Sequence, residues 1–283
     1  MIIDRRKFVR AAGLGVLATA AAPATKLLAE EQLVTDHSGD MPLKQPKPLT
    51  AKRWAMVVDT RKATPENVQK AIHACHHEHN VPEFDNSKDE IKWIWSEHFD
   101  HAFHEQDLHY IPEHTKHTPT LLLCNHCDNP PCVRVCPTEA TWKREEDGLV
   151  MMDWHRCIGC RYCMVACPYG SRSFNFRNPR EFIDEINPGY PTRMRGVVEK
   201  CTFCEERLAR GKMPACVEAT QDCGMITFGD LEDPNSDVSK LVRKHFSIRR
   251  KPGLGTQPEV YYIVPDDPEE HDEPTAHGEE EHS

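Results

Sequence analysis

An α+β architecture of short helices and short strands, gathered into cysteine-rich modules with long insertions and loops, follows from three properties of the sequence. Only 39% of the 283 residues are hydrophobic and 22 are proline, so turns are frequent and a large apolar core is not easily built. Thirteen cysteines are present, most of them in regularly spaced sets. Between the two fullest sets, Thr141 to Asp153 reads as two strand-like runs about an Asp147-Gly148 turn, which is a hairpin signal. The length allows one large domain or two small ones sharing a core.

In chain order, Asp4-Arg5-Arg6-Lys7-Phe8-Val9-Arg10 precedes an apolar stretch, Ala11 to Ala22, and then the small residues Ala22-Pro23-Ala24. This is the pattern of a twin-arginine export signal, with Asp4 where Ser or Thr is commoner. Residues 1–29 are assigned to it, with cleavage near Ala24 or Ala29, and a periplasmic location is expected. The apolar stretch is roughly 12 residues, short of the ~20 that cross a bilayer as a helix. No later segment reaches that length, and residues 240–263 carry Lys240, Arg243, Lys244, Arg249, Arg250 and Lys251. The mature chain is therefore expected to have no membrane span of its own. Net charge is −10, and residues 265–283 hold nine acidic side chains with no Lys or Arg; they read as a disordered acidic tail. The rest mixes both signs without a basic stripe, which sets nucleic acid aside as a partner.

The first complete cysteine set is Cys124-x2-Cys127-x4-Cys132-x3-Cys136-Pro137, and the second is Cys157-x2-Cys160-x2-Cys163-x3-Cys167-Pro168. The second spacing is that of the bacterial ferredoxin run, in which the fourth Cys ligates the other cluster. Closely spaced cysteines on one loop wrap one face of a cube, while the last pair, one helical turn apart, reaches a neighbouring cube. Crossed ligation then predicts two [4Fe–4S] clusters: cluster one on Cys124, Cys127, Cys132 and Cys167, and cluster two on Cys157, Cys160, Cys163 and Cys136. Zinc needs only four tetrahedral ligands per ion and gives no reason for two Cys-Pro endings. An odd number of cysteines at these spacings argues against a disulfide framework. A third set, Cys201-x2-Cys204-x11-Cys216, supplies three ligands where a cube takes four. Cys75 stands alone among His73, His76, His77 and His79, and Cys223 follows Thr220 by three residues.

These landmarks, with Arg53-Trp54-Ala55-Met56-Val57-Val58-Asp59, Asn80-Val81-Pro82, Pro214-Ala215-Cys216-Val217 and Phe228-Gly229-Asp230-Leu231, resemble the ferredoxin-type subunits of membrane-linked respiratory complexes. The likeness is to the NrfC/HybA/PsrB-like family, and within it to the DsrO-type periplasmic subunit of the membrane complex associated with dissimilatory sulfite reduction. Ile91-Lys92-Trp93-Ile94-Trp95 and Leu123-Cys124-Asn125-His126-Cys127 add to that second likeness. The resemblance implies two bacterial-ferredoxin-like modules with pseudo-twofold symmetry within residues 50–264. The central module is 118–172, and the outer one pairs 50–80 with 197–229. It also implies crossed ligation between the first and last motifs. Here Asp59 to Ala74 contains no cysteine, and Thr220 occupies the fourth place of the last motif. Those losses belong to one cube, while the survivors, Cys201, Cys204, Cys216 and Cys75, belong to its partner. Three clusters are thus expected. The competing reading makes Cys223 the fourth ligand of cluster three and leaves Cys75 as a buried thiol. Partners implied by the resemblance are an integral membrane quinone-interacting subunit and a multihaem cytochrome c.

The chain itself has no haem-attachment C-x-x-C-H, no dinucleotide or phosphate loop and no Ser-His-Asp arrangement. No bond-making site is expected, and the function predicted is one-electron relay linked to sulfur metabolism. Two other readings remain at this stage. One is the electron-transfer subunit of an exported molybdopterin oxidoreductase or hydrogenase; the other is a zinc- or disulfide-stapled binding protein. Trp93 and Trp95 alternate with isoleucines and are expected to pack in a core or subunit contact.

Overall fold

The computed structural model describes residues 47–105 and 111–264; the expected export leader and acidic tail lie outside the described residues. Strand β1 is Trp54–Asp59, buried at every position, as suits an apolar run flanked on both sides. Asp59 then accepts a hydrogen bond from the Arg61 N–H, turning the chain through Thr60–Lys62. Helix α1, Pro65–Glu78, starts where Thr64 accepts from the Asn67 N–H at 3.2 Å, with Pro65 opening the first turn. Its inward stripe is Val68, Ala71 and Cys75, the spacing of one helical face. Cys75 is therefore delivered to the interior by helix periodicity.

Strand β2, Ile94–His98, follows Trp93, whose buried indole N–H donates to Glu199 Oε2 at 2.8 Å. Trp93 and Trp95 are both buried. Short helices α2, Phe99–Ala102, and α3, Glu113–Lys116, precede strand β3, Pro119–Leu123, which pairs antiparallel with β2 from Ile94 against Leu123 to His98 against Pro119. Next come helix α4, Pro131–Arg134, and strands β4, Thr141–Lys143, and β5, Val150–Met152. The last two form the expected antiparallel hairpin. Gly148 sits in its turn at φ 79°, a left-handed conformation that glycine adopts without strain. Asp147 ties the hairpin to β1 by accepting from the Trp54 indole N–H at 3.1 Å.

Helix α5, Tyr162–Ala166, leads to the two-residue strand β6, Ser173–Phe174, paired with β7, Val198–Glu199. Helices α6, Glu205–Ala209, and α7, Ala215–Ala219, follow, and α7 packs on α1. The chain then returns as strand β8, Ile226–Asp230, helix α8, Asp237–Lys244, strand β9, Ser247–Ile248, and strand β10, Val260–Ile263. These complete a four-stranded sheet in the order β8-β1-β10-β9, with β1 antiparallel to β8 and parallel to β10.

Strand alternation splits the core. Met56 and Val58 face the main cluster with Trp93, Phe103 and Tyr262, while Ala55 and Val57 meet Val238 and Ile263 on the other face. A separate small cluster, Ala140, Val150, Met152 and Val198, packs around Cys132 and Cys163. Among the described residues, no helix is long and apolar enough to cross a membrane.

Candidate functional site

All thirteen cysteines are free of disulfides, and twelve of them gather in three places. Cys124, Cys127, Cys132 and Cys167 line one cavity together with Tyr169 and Arg172. A second cavity is lined by Cys136, Cys157, Cys160 and Cys163. Helix α4 carries Cys132 to the first cavity while Cys136, just past its end, lines the second; α5 carries Cys163 to the second while Cys167, its C-cap, lines the first. In the third place Cys75, from α1, lies buried with Cys201, Cys204 and Cys216; burial first, and then the charges of those three, push its thiol well above its ordinary value. The half-buried Cys223 instead donates its thiol to the Thr220 carbonyl at 3.3 Å and neighbours Lys70. Thr220 itself is fully buried and donates to the Cys216 carbonyl.

The loops carrying these thiols curl through left-handed residues: His126 at φ 41°, Gly159 at 69° and Arg161 at 64°, then Phe203 at 56° and Cys204 at 53°. Such a curl turns successive backbone N–H groups into a concavity that receives anions. Two backbone N–H groups reach sulfur, Phe203 N–H within the curl to Cys201 Sγ and Ala215 N–H at the start of α7 to Cys204 Sγ, each at 3.4 Å. At Cys136, burial works against ionisation, but backbone N–H groups of Thr141, Thr138 and Ala140 outweigh it and lower the thiol pKa. At Cys216 burial dominates and pushes the pKa up to about 12. Thiols so placed ionise only with a compensating cation, and iron of an iron–sulfur cube supplies one. The donor chemistry of all three places fits that group. Near the third, His79, Cys204 and Glu206 hold donor atoms within 4.8 Å of one another.

The three places form a series. Cys132 lines the first cavity and packs beside Cys163 of the second. Cys124 of the first lies close enough to Cys201 of the third to raise its pKa, after burial. His126 fastens this second junction. Its Nδ1 accepts from the Val150 N–H at 3.1 Å, its Nε2 reaches the Cys201 carbonyl at 3.0 Å, and its ring stacks on Phe203 at 3.8 Å. Burial, with Lys200 adding to it, holds the imidazole pKa well below its ordinary value. The ring is therefore neutral, with its one proton on Nε2 facing the carbonyl.

Sequence reasoning did not find the buried cations. Arg172 is 4% exposed and Lys200 fully buried. Arg172 Nη2 donates to Cys132 Sγ at 3.1 Å and to Thr141 Oγ1 at 2.9 Å. Lys200 Nζ donates to the carbonyls of Val150 and Cys201, the latter at 2.9 Å. By contrast Arg193, equally buried, lies 2.7 Å from Glu199 and stacks on Trp93. The only signals available were Lys200 immediately before Cys201 and Arg172 shortly after Cys167-Pro168. Among the four histidines flanking Cys75, His79 alone is fully buried, with Nδ1 3.6 Å from Cys75 Sγ and Nε2 2.9 Å from Glu206.

Residues 115–180 match the 4Fe-4S dicluster domain, which spans the first two cavities. The chain is 44% identical over 233 residues to the Hdr-like menaquinol oxidoreductase iron-sulfur subunit 1 of Archaeoglobus fulgidus, covering 75% of this chain and 83% of that one. It is 36% identical over 236 residues to the menaquinone reductase iron-sulfur cluster-binding subunit of Nitratidesulfovibrio vulgaris, covering 75% and 88%. Protein NrfC of Escherichia coli is 40% identical over 141 residues, covering 50% of this chain and 55% of that one. With four thiols converging in each cavity and relatives of this kind over most of its length, the chain belongs to the NrfC-like family of 4Fe–4S ferredoxin-type electron-transfer subunits.

Proposed function

We propose that the chain relays single electrons through three [4Fe–4S] clusters in a periplasmic respiratory complex linked to sulfur metabolism. Cluster one is held by Cys124, Cys127, Cys132 and Cys167, cluster two by Cys157, Cys160, Cys163 and Cys136, and cluster three by Cys201, Cys204, Cys216 and Cys75. The reading divides them between two ferredoxin-like modules, 118–172 and 50–80 with 197–229, and the nearness of Cys124 to Cys201 and of Cys132 to Cys163 supports the order three, one, two. The observation that carries the reading is the gathering of twelve thiols into three adjoining groups of four. When bound, each cube supplies a one-electron couple. The chain's own residues hold it on thiolates, aim N–H groups at the sulfurs and keep water from the buried first and third places.

The relatives named for menaquinol oxidation and menaquinone reduction support a quinone-interacting integral membrane subunit as one partner. The DsrO-type resemblance supports a multihaem cytochrome c as the other, and the link to sulfur metabolism. The twin-arginine pattern at Arg5-Arg6 supports export of the already folded, cluster-loaded chain.

The test is anaerobic purification from the native membrane, with counting of iron and acid-labile sulfide. Three cubes per chain, co-purifying haem c and reduction by a menaquinol analogue are expected. Two cubes per chain would remove cluster three, and co-purification with a pterin subunit in place of haem would move the chain to a molybdopterin oxidoreductase.

A further inference from the structure

Among the described residues, the two junctions of the series each contain a buried basic side chain with no carboxylate to neutralise it. Among the described residues Arg172 forms no ion pair; its partners are Cys132 Sγ, Thr141 Oγ1 and, at 3.8 Å, Met152 Sδ. Lys200 likewise meets only the carbonyls of Val150 and Cys201. Isolated buried charges are strongly unfavourable, so the negative charge that balances them must sit nearby. The nearest anionic positions are the cysteine groups. Arg172 touches Cys132 of the first group and feels Cys163 of the second. Burial acts first on the Lys200 ammonium and lowers its pKa, with Arg172 adding to that, while Cys124 and Cys132 of the first group and Cys201 of the third pull it back up. Both cations therefore face the first group, and each faces one further group.

We propose that Arg172 and Lys200 are fixed counter-charges set in the two gaps of the relay, Arg172 between the first and second cubes and Lys200 between the first and third, and that together they make the first cube the easiest of the three to reduce. Reduction adds one negative charge to a cube. A buried cation a few ångströms away stabilises the reduced form more than the oxidised one, and the low dielectric around it sharpens the difference. The first cube receives that help from two directions, and its neighbours receive it from one. This inference rests on the three-cube reading above.

Potentiometric titration of the loaded protein, followed by electron paramagnetic resonance, separates the two. Arg172→Gln is expected to lower the reduced-to-oxidised ratio of the first and second cubes at fixed poise, leaving the third unchanged. Lys200→Met is expected to lower the first and third and leave the second. A roughly tenfold change in the ratio, about 59 mV for a one-electron couple, is the size expected at the first cube. Arg172→Lys and Lys200→Arg keep the charge and should stay near the parental potentials, which a purely packing role would not require. Unchanged potentials in charge-removed protein that still holds three cubes would overturn the proposal. Fewer than three cubes in the unmodified protein would instead overturn the reading beneath it. Should the charge-removed variants fail to load, the unmodified protein decides. The signal lost in Cys127→Ser protein should be the first to appear on reduction, and its appearing second or last defeats the idea.

Discussion

Cys75 illustrates how one side chain acquires a role from its neighbours. Nothing in His73–Asn80 marks it as a ligand, yet the inward stripe of α1 sets it among Cys201, Cys204 and Cys216. Cys75→Ala is expected to lose one cube's worth of iron and sulfide, whereas Cys223→Ala, altering a thiol bonded only to a nearby carbonyl, should keep all three. Iron and sulfide assays on the two proteins side by side make the comparison. Glu199 offers a second test at the same scale. It is fully buried, pairs with Arg193 at 2.7 Å, accepts from Trp93 at 2.8 Å and is bonded by Asn175. Removing one member of a buried pair leaves the other charge stranded, so Glu199→Ala should cost about 3–5 kcal/mol. A urea titration with unchanged slope and a lowered midpoint would report it; a midpoint within error of the parent would mean the pair contributes nothing.

Among the elements, the cysteine loops are the most exacting. Gly159 combines φ 69° with crowding: a Cβ there would lie 2.3 Å from the Gly196 carbonyl oxygen and 3.0 Å from the Phe174 ring. Gly159→Ala is therefore expected to open the loop between Cys157 and Cys160 and cost the second cube, while the other two remain; spin counting on reduced protein would reveal it, and a full complement would refute it. These loops and the β4–β5 hairpin were legible in the sequence because their information is local: ligand spacing, an Asp-Gly turn, a proline after the last thiol. The β8-β1-β10-β9 sheet was not. Its partners are far apart along the chain, and such pairings leave no periodic trace. Arg172 and Lys200 escaped for a different reason, since an isolated basic residue in sequence looks like ordinary surface until the fold buries it. Cys75 became a candidate only through resemblance, and its helix then supplied the geometry.

Over the described residues as a whole, the apolar core falls into separate clusters, and the one around Cys132 and Cys163 is small. Ligation free energy is then folding free energy, as in other metal-stapled domains. If stripping the cubes costs only about 5 kcal/mol, a domain of this size loses roughly 10–20 °C in Tm. Calorimetry of chelator-treated against loaded protein measures this directly, and coincident transitions would show that the polypeptide stands without its inorganic parts. The pairing of β1 has a bearing on how the chain matures. Strand β1 is sandwiched between β8 and β10, which come far later along the chain, and Arg53 grips Glu259, 206 residues on, with Nε at 3.0 Å. Closing this sheet therefore needs segments made roughly two hundred residues apart, so the edge of β1 stays unpaired on a growing polypeptide until β8 and β10 have emerged.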